Sequence, residues 1–261
     1  MPILILLRHG QSTYNGTSKF CGWVDAPLTE KGRQQAVETA QLIKSHPLTH
    51  HMPLHTCVTS RLQRAVSTAH IILENLDRLD MDVKKSWRLN ERHYGALQGR
   101  IKNDVLEQYD HEQFLYWRRA YSGCPPDADI NGEFYKDTLR IGLYDSDLSK
   151  FGLPKSESLE LVIKRLIPFW SQNIMPELYQ GKNVLCVTHG SVVRALLTIL
   201  YNISEQDVET LNVPNGIPIL IELDDVTGEP TTDSWIYLDP EKAKIEAERV
   251  RVDGLIPATA A

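Results

Sequence analysis

Pro2-Ile3-Leu4-Ile5-Leu6-Leu7-Arg8-His9-Gly10 opens the chain and sets its architecture. An unbroken apolar run of this length reads as a short strand buried on both faces, the kind that parallel sheets contain. It delivers an arginine and a histidine to the strand's carboxyl end, which in open α/β sheets is where ligands sit. Histidine there can be a base, a metal ligand or a nucleophile, and the adjacent arginine argues for an anionic substrate. On these residues alone, an ordinary surface or packing role is the better reading. The rest of the chain changes that balance.

Beyond this stretch strand and helix alternate. A loop rich in Ser, Thr, Asn and Gly leads to a helix starting near Thr29, with Ala36, Ala40, Leu42 and Ile43 as its apolar face. A strand near 55–58 precedes a helix over about 61–76, and a short third strand is expected near 82–84. Residues 102–121 read as one helix carrying Trp117-Arg118-Arg119. Residues 123–155 show no sustained period and read as an irregular insertion, long enough to form a lid or wall. A long helix is expected after Ser156 or Ser158, bent rather than ended by Pro168.

A strand over 183–187 then runs into Thr188-His189-Gly190 and a helix over 192–201. Ser204-Glu205-Gln206-Asp207 reads as a capped helix start, residues 217–223 and 235–238 as strands, and Asp239-Pro240 as the opening of a C-terminal helix. The alternation predicts an α/β fold, a three-layer α/β/α sandwich with a mainly parallel central sheet. A single domain is expected over 1–254, with a flexible tail over 255–261.

Composition narrows the function. A chain of 261 residues can bury a full core, and its formal net charge of −6 disfavours broad nucleic-acid binding. In an acidic protein a local arginine cluster carries more meaning. No apolar stretch approaches the roughly 18 residues needed to span a bilayer, so no membrane association is expected. The first apolar run lacks the basic flank of a secretory signal. Cys21, Cys57, Cys124 and Cys186 are scattered without a C-x-x-C pair, which fits a reduced, cytoplasmic protein better than a disulfide framework.

Two strands therefore end in similar signatures, Arg8-His9-Gly10 and Thr188-His189-Gly190, and two such ends are much less readily a coincidence than one. A glycine permits close backbone approach, and the helix after Gly190 offers free N–H groups to an anion. Arg64 lies one turn into the helix after Thr59-Ser60, with Arg61 a turn earlier, so a phosphate clamp is a reasonable reading beside that of solvated helix charges. His46, His50, His51 and His55 read as a solvated loop rather than a metal cluster.

The chain resembles the histidine phosphatase superfamily, and within it the cofactor-dependent phosphoglycerate mutases with their bisphosphoglycerate mutase relatives. The matching text is Arg8-His9-Gly10-Gln11-Ser12-Thr13-Tyr14-Asn15, Phe20-Cys21-Gly22-Trp23, Leu28-Thr29-Glu30-Lys31-Gly32, Thr59-Ser60-Arg61-Leu62-Gln63-Arg64-Ala65, Trp117-Arg118-Arg119, His189-Gly190 and Pro214-Asn215-Gly216. Leu89-Asn90-Glu91-Arg92-His93-Tyr94-Gly95-Ala96-Leu97-Gln98-Gly99 is the most specific block, since the wider superfamily lacks it.

The resemblance implies an isomerase of glycolysis and gluconeogenesis that interconverts 3- and 2-phosphoglycerate through a phosphohistidine primed by 2,3-bisphosphoglycerate. It makes His9 the nucleophile, with Arg8, Arg64 and His189 around the transferred phosphoryl group and Glu91 as general acid/base. Arg92, Tyr94, Lys102, Arg118 and Arg119 match positions that hold the substrate's carboxylate and second phosphate. Ser12, Asn15, Cys21, Gly22, Gly190 and Ser191 match residues lining the site. The substrates are small phosphorylated three-carbon acids. No metal is implied, because arginines and histidines supply the charge neutralisation a magnesium ion would provide. The family also implies a homo-oligomer, dimer or tetramer.

Four departures from the family pattern stand out. Gln11 replaces a common glutamate, Cys21 and Val24 resemble the bisphosphoglycerate mutase branch whereas Gly22 and Ser12 resemble the glycolytic one, Ser191 replaces asparagine, and residues 127–155 and the tail after Gly254 match poorly. A bisphosphoglycerate synthase or phosphatase of the same superfamily is therefore the alternative. A non-catalytic regulatory relative is disfavoured because His9, Arg8, Arg64, Glu91 and His189 are all present.

Overall fold

The computed structural model describes residues 1–140, 144 and 152–255. Six strands form its sheet: β1 (Ile3–Arg8), β2 (Thr56–Thr59), β3 (Val83–Lys85), β4 (Val184–Thr188), β5 (Ile219–Glu222) and β6 (Ile236–Tyr237), in the spatial order β3-β2-β4-β1-β5-β6. The four strands from β3 to β1 are parallel, while β5 runs antiparallel to β1 and β6 antiparallel to β5.

Strand alternation sends apolar side chains both ways. Leu4, Leu6, Val58, Val184, Cys186, Ile219 and Ile221 meet α7 (Leu159–Phe169) and α9 (Gly190–Tyr201) on one face. Ile5, Leu7, Cys57, Leu185, Val187 and Leu220 meet α2 (Glu30–Ser45) and α3 (Gln63–Asn75) on the other. Ala36, Ala40, Ala65 and Ala69, all fully buried, let those two helices lie close to the sheet and to each other. The result is the expected three-layer α/β/α sandwich with a mainly parallel sheet. Among the described residues no helix is long and apolar enough to cross a membrane.

Four local expectations are corrected. A short helix, α1 (Thr13–Gly16), interrupts the loop after β1, capped by Ser12 and Asn15 bonding each other's backbone N–H. The helix expected over 102–121 is two, α4 (Lys102–Gln108) and α5 (His111–Arg119), because Tyr109 is extended and Asp110 caps the second by accepting from Gln113 N at 2.7 Å. The insertion contains α6 (Glu133–Arg140), whose Phe134 ring lies against Gly99. The helix after Thr59 starts at Gln63, since Leu62 is still extended.

Pro168 sits inside α7, and the chain continues through a π-helical stretch, Trp170–Ile174, into α8 (Met175–Tyr179). Ser158, Ser204 and Asp239 cap α7, α10 (Glu205–Thr210) and α11 (Pro240–Val252) as their spacing predicts. Residues 141–143 and 145–151 of the insertion, and the tail from 256, lie outside the described residues.

Two packing devices hold the carboxyl edge of the sheet. Gly10 and Gly32 let the turn after β1 press against the start of α2: a Cβ on Gly10 would overlap the Gly32 carbonyl, and one on Gly32 the Gln11 carbonyl. The second is a buried ion pair. Arg165 Nε donates to Glu157 Oε1 at 2.6 Å, and the same guanidinium holds the carbonyls of Arg88 (2.6 Å), Asn90 (2.8 Å) and Glu91 (3.0 Å). Glu157 Oε2 accepts from His93 N at 2.8 Å, so the pair grips the 88–93 turn from both sides. Burial pushes the neighbouring His93 imidazole down to about 4, with Glu157 opposing.

Two outcomes follow from this packing. Gly32→Ala meets backbone rather than a movable side chain, so its urea midpoint should report a loss of about 1–3 kcal/mol; an unchanged midpoint would show that the turn has room to relax. His93 is protonated near 6.5 when unfolded but only near 4 when folded, so its contribution is complete above pH 6.5. It is then lost as pH falls from 6.5 to about 4, by about 3 kcal/mol. Stability from urea melts taken across that range should fall more steeply with falling pH in the wild type than in His93→Asn; equal pH slopes would assign the acid sensitivity elsewhere.

Candidate active site

The pairing of β1 with β4 places Arg8 opposite Thr188, and His9 N donates to Thr188 O at 2.9 Å. His9 and His189 therefore leave adjacent parallel strands at the same edge, with ring centroids 4.9 Å apart at 64°. His9 Nδ1 lies 2.6 Å from Gly10 O, which can only accept, so the ring proton is assigned to Nδ1 and the lone pair to Nε2. Arg64 Nε donates to that Nε2 at 3.2 Å.

Burial, then Arg64 and Arg8, hold the His9 imidazole well below its ordinary 6.5, so it is neutral at pH 7. The same causes, led by burial and Arg64, depress His189. The Ser60 hydroxyl accepts from Leu62 N at 3.1 Å and meets His189 Nε2 at 2.8 Å. With the Ser60 proton given to Nε2, His189 Nδ1 is the ring's N–H. That atom is buried without a hydrogen-bond partner among the described residues, as are Arg8 Nε and Arg118 Nη1.

Arg64 is 1% exposed, and its terminal nitrogens hold the carbonyls of Val24 (2.8 Å) and Gly22 (2.7 Å). Arg8 Nη1 holds Val213 O at 2.7 Å. These partners fix each guanidinium without neutralising it. A neutral imidazole lone pair faced by unneutralised guanidinium groups is an arrangement that can accept and stabilise a phosphoryl group.

A cavity of about 80 Å³ adjoins this centre. Arg8, Glu91, Tyr94, Lys102, Arg118 and Arg119 contribute to its wall, together with Gly190 and Ser191 from the start of α9. Glu91 Oε1 accepts from Arg92 N at 2.8 Å and from Ser191 N at 3.1 Å, so backbone groups hold the carboxylate. Burial lowers Lys102, Arg118 and Arg119; Asp253 opposes this for Lys102 and Arg118, while Arg118 and Arg194 add to it for Arg119.

Other sequence-chosen residues stand behind the wall. Arg92 is fully buried, stacks on Tyr94 at 4.6 Å, and holds the carbonyls of Gly123 (3.1 Å) and Arg118 (2.9 Å). Ser12 and Asn15 bond each other, and Cys21 Sγ meets Val24 O at 3.5 Å. Gly22 acts through the carbonyl that Arg64 holds.

Sequence reasoning missed three wall residues of consequence. Arg194 bonds Val208 O and Arg119 O at 2.7 Å each, and burial followed by Arg92 brings it down to about 10. Its position four residues after Gly190, on the same helix face, was the available signal. Val250 and Asp253 come from the end of α11 and carry no local signal.

The family profile described as "Histidine phosphatase superfamily (branch 1)" matches residues 4–141 and 135–233. A phosphoglycerate mutase of Candida albicans is 44% identical over 254 residues, 97% of this chain and 99% of its own. The 2,3-bisphosphoglycerate-dependent phosphoglycerate mutase of Bifidobacterium longum is 41% identical over 251 residues, 96% of this chain and 98% of its own. Among solved structures, a phosphoglycerate mutase from Bacillus anthracis superposes with a TM-score of 0.62 at 20% identity, covering 95% of this chain and 96% of that one. A mycobacterial glucosyl-3-phosphoglycerate phosphatase does so at 0.64 and 24%, covering 91% and 97%. At those identities the likeness is one of fold. The sequence matches, full-length and above 40%, go further: the chain belongs to the histidine phosphatase superfamily and, within it, to the cofactor-dependent phosphoglycerate mutase family.

Proposed function

We propose that this chain is a phosphoglycerate mutase that interconverts 3-phosphoglycerate and 2-phosphoglycerate through a phosphohistidine at His9. One observation carries the reading above all: His9 keeps its ring proton on Nδ1 and turns an unprotonated Nε2 to Arg64, beside a cavity lined by Lys102, Arg118, Arg119 and the Glu91 carboxylate. The donor set also fits 2,3-bisphosphoglycerate, whose anionic groups suit the buried, unpartnered Arg8 Nε, Arg118 Nη1 and His189 Nδ1. That primer, when bound, supplies the phosphoryl group that His9 carries.

The chain's own residues do the rest. His9 Nε2 forms the N–P bond as the P–O bond to the departing oxygen breaks, and Glu91 gives that oxygen its proton. In the return step Glu91 takes the proton of the attacking hydroxyl while the N–P bond breaks. Arg8, Arg64 and His189 stabilise charge on the phosphoryl oxygens in flight. Lys102, Arg118 and Arg119 hold the acid's carboxylate and its resting phosphate during each transfer, and the bisphosphate turns between the two so that its other phosphate meets His9.

The departures from the family pattern leave this machinery in place. Gln11 turns its amide oxygen to the Thr29 hydroxyl at 2.9 Å, at the cap of α2. Ser191 holds Glu91 through its backbone N–H, which asparagine would supply equally. The cavity is narrow, with Val250 and Asp253 in its wall, so a ligand that fills it displaces the water that hydrolysis would need.

Incubated with labelled bisphosphoglycerate, the wild type should take up acid-labile, alkali-stable phosphate and His9→Ala should take up none; label persisting in the variant would reassign the nucleophile. On one preparation the primer-dependent mutase rate should exceed the bisphosphoglycerate synthase and phosphatase rates and withstand EDTA. A dominant phosphatase rate would move the assignment to a hydrolase of the superfamily, and activity lost to EDTA and restored by manganese would overturn the mechanism.

A further inference from the structure

The cations of the cavity already carry a carboxylate from their own chain. Asp253, one residue beyond α11, forms an ion pair with Lys102 Nζ and lies 3.7 Å from Arg118 Nη2, while its other oxygen accepts from Ser18 Oγ at 2.5 Å. Three residues earlier, Val250 O accepts from Arg118 Nη2 at 2.9 Å and from Arg119 Nη2 at 3.1 Å. The segment is docked rather than loosely placed: Gly254 brings backbone against the Lys102 stem, and Leu255 packs on the Phe20, Phe114 and Trp117 cluster. Burial raises the Asp253 carboxyl, but Lys102, Arg118 and the Ser18 hydrogen bond outweigh it and hold the group below its ordinary value.

The cavity these groups leave, about 80 Å³, is well under the roughly 300 Å³ at which ligand pockets begin. A phosphorylated acid that engages Lys102 Nζ and the Nη2 edge of Arg118 together has to take the place that Asp253 holds, while Arg118 Nη1 stays open to it. We infer that Asp253 sets affinity and specificity at this site: its carboxylate occupies an anion position on Lys102 and Arg118 and competes with the anionic ligand. A displaced but nearby carboxylate repels a ligand in proportion to the ligand's charge, so the competition bears harder on the bisphosphate than on the monophosphate. The chain thereby favours release of the primer relative to the substrate. This rests on the proposed function, because it takes Lys102 and Arg118 as the groups that receive the substrate's anions.

The rival role, a strut that holds Lys102 and Arg118 in position, predicts the opposite sign, and equilibrium binding separates the two. The probes are 3-phosphoglycerate and 2,3-bisphosphoglycerate, titrated calorimetrically into the His9→Ala protein, in which no phosphoryl group is transferred. The same titrations are made with Asp253→Asn and with Asp253→Ser added, each checked by its urea midpoint. Both added substitutions should tighten both ligands, the bisphosphate by on the order of tenfold and the monophosphate by less. Unchanged or weaker binding in the two folded variants overturns the role of Asp253 while leaving the proposed function standing. Equal tightening of the two ligands overturns the specificity half of the inference. Failure of either ligand to bind any of the proteins overturns the proposed function and the inference together.

Discussion

The parallel pairing of β1 with β4 is the constraint on which the site depends. Both strands are apolar on both faces, so hydrophobic alternation does little to penalise a one-residue slip, which exchanges one buried side chain for another. Polar groups at the two ends specify the register instead. Ile3 N donates to Asn183 Oδ1 at 2.8 Å at the amino end, and His9 N to Thr188 O at 2.9 Å at the carboxyl end. Thr59 Oγ1 adds a third pin from β2, donating to Val187 O at 2.7 Å. A slip of one residue, about 3.3 Å, would separate the His9 and His189 rings and leave these buried donors without acceptors.

The second constraint is electrostatic. An acidic chain has to bury several guanidinium groups at one sheet edge without cancelling them. It does so with carbonyl oxygens: Val213 for Arg8, Gly22 and Val24 for Arg64, Gly123 and the Arg118 carbonyl for Arg92, Val208 for Arg194. A carbonyl satisfies a donor and keeps it out of competing rotamers, yet leaves the positive charge available to an anion. Burial and then the same field hold His9 and His189 neutral, so in the proposed reaction the charge that would bind a phosphoryl group also helps keep its acceptor unprotonated. Arg165, away from the cavity, meets the buried Glu157 carboxylate instead, and it serves the backbone of the Glu91 turn.

Much of this was legible along the chain because the signals are local. Apolar runs ending in His9-Gly10 and His189-Gly190 mark both strand ends, and Thr29, Ser204 and Asp239 mark helix starts that the structure caps as expected. No glycine or proline announces the break at Tyr109, although Asp110 is a competent cap. Ser12 and Asn15 have the spacing of a reciprocal helix cap, and the structure uses them so. Arg194 shares a helix face with Gly190, but an arginine mid-helix reads first as solvated. Asp253 lay beyond sequence reasoning for a plainer reason: its partner Lys102 is 151 residues away, and nothing in either neighbourhood encodes the meeting.

The two carboxylates at the cavity show why identical chemistry can take opposite parts. Glu91 is held at Oε1 by two backbone N–H groups, Arg92 N and Ser191 N, so its place is set by the 88–93 turn and the first residues of α9. Moving it would mean moving Arg165 and the sheet edge with it. Asp253 is held by the flexible side chains of Lys102 and Arg118 and by one serine hydroxyl, at the end of a helix that β6 and α2 anchor elsewhere, with Lys242 Nζ bonding Glu38 at 2.6 Å. A group held by rigid backbone can pass a proton to a bound ligand and remain in position. A group held by ligand-seeking cations is exchanged when a stronger anion arrives. Position in the fold, rather than residue type, therefore separates the carboxylate suited to chemistry from the one that stands in the ligand's place.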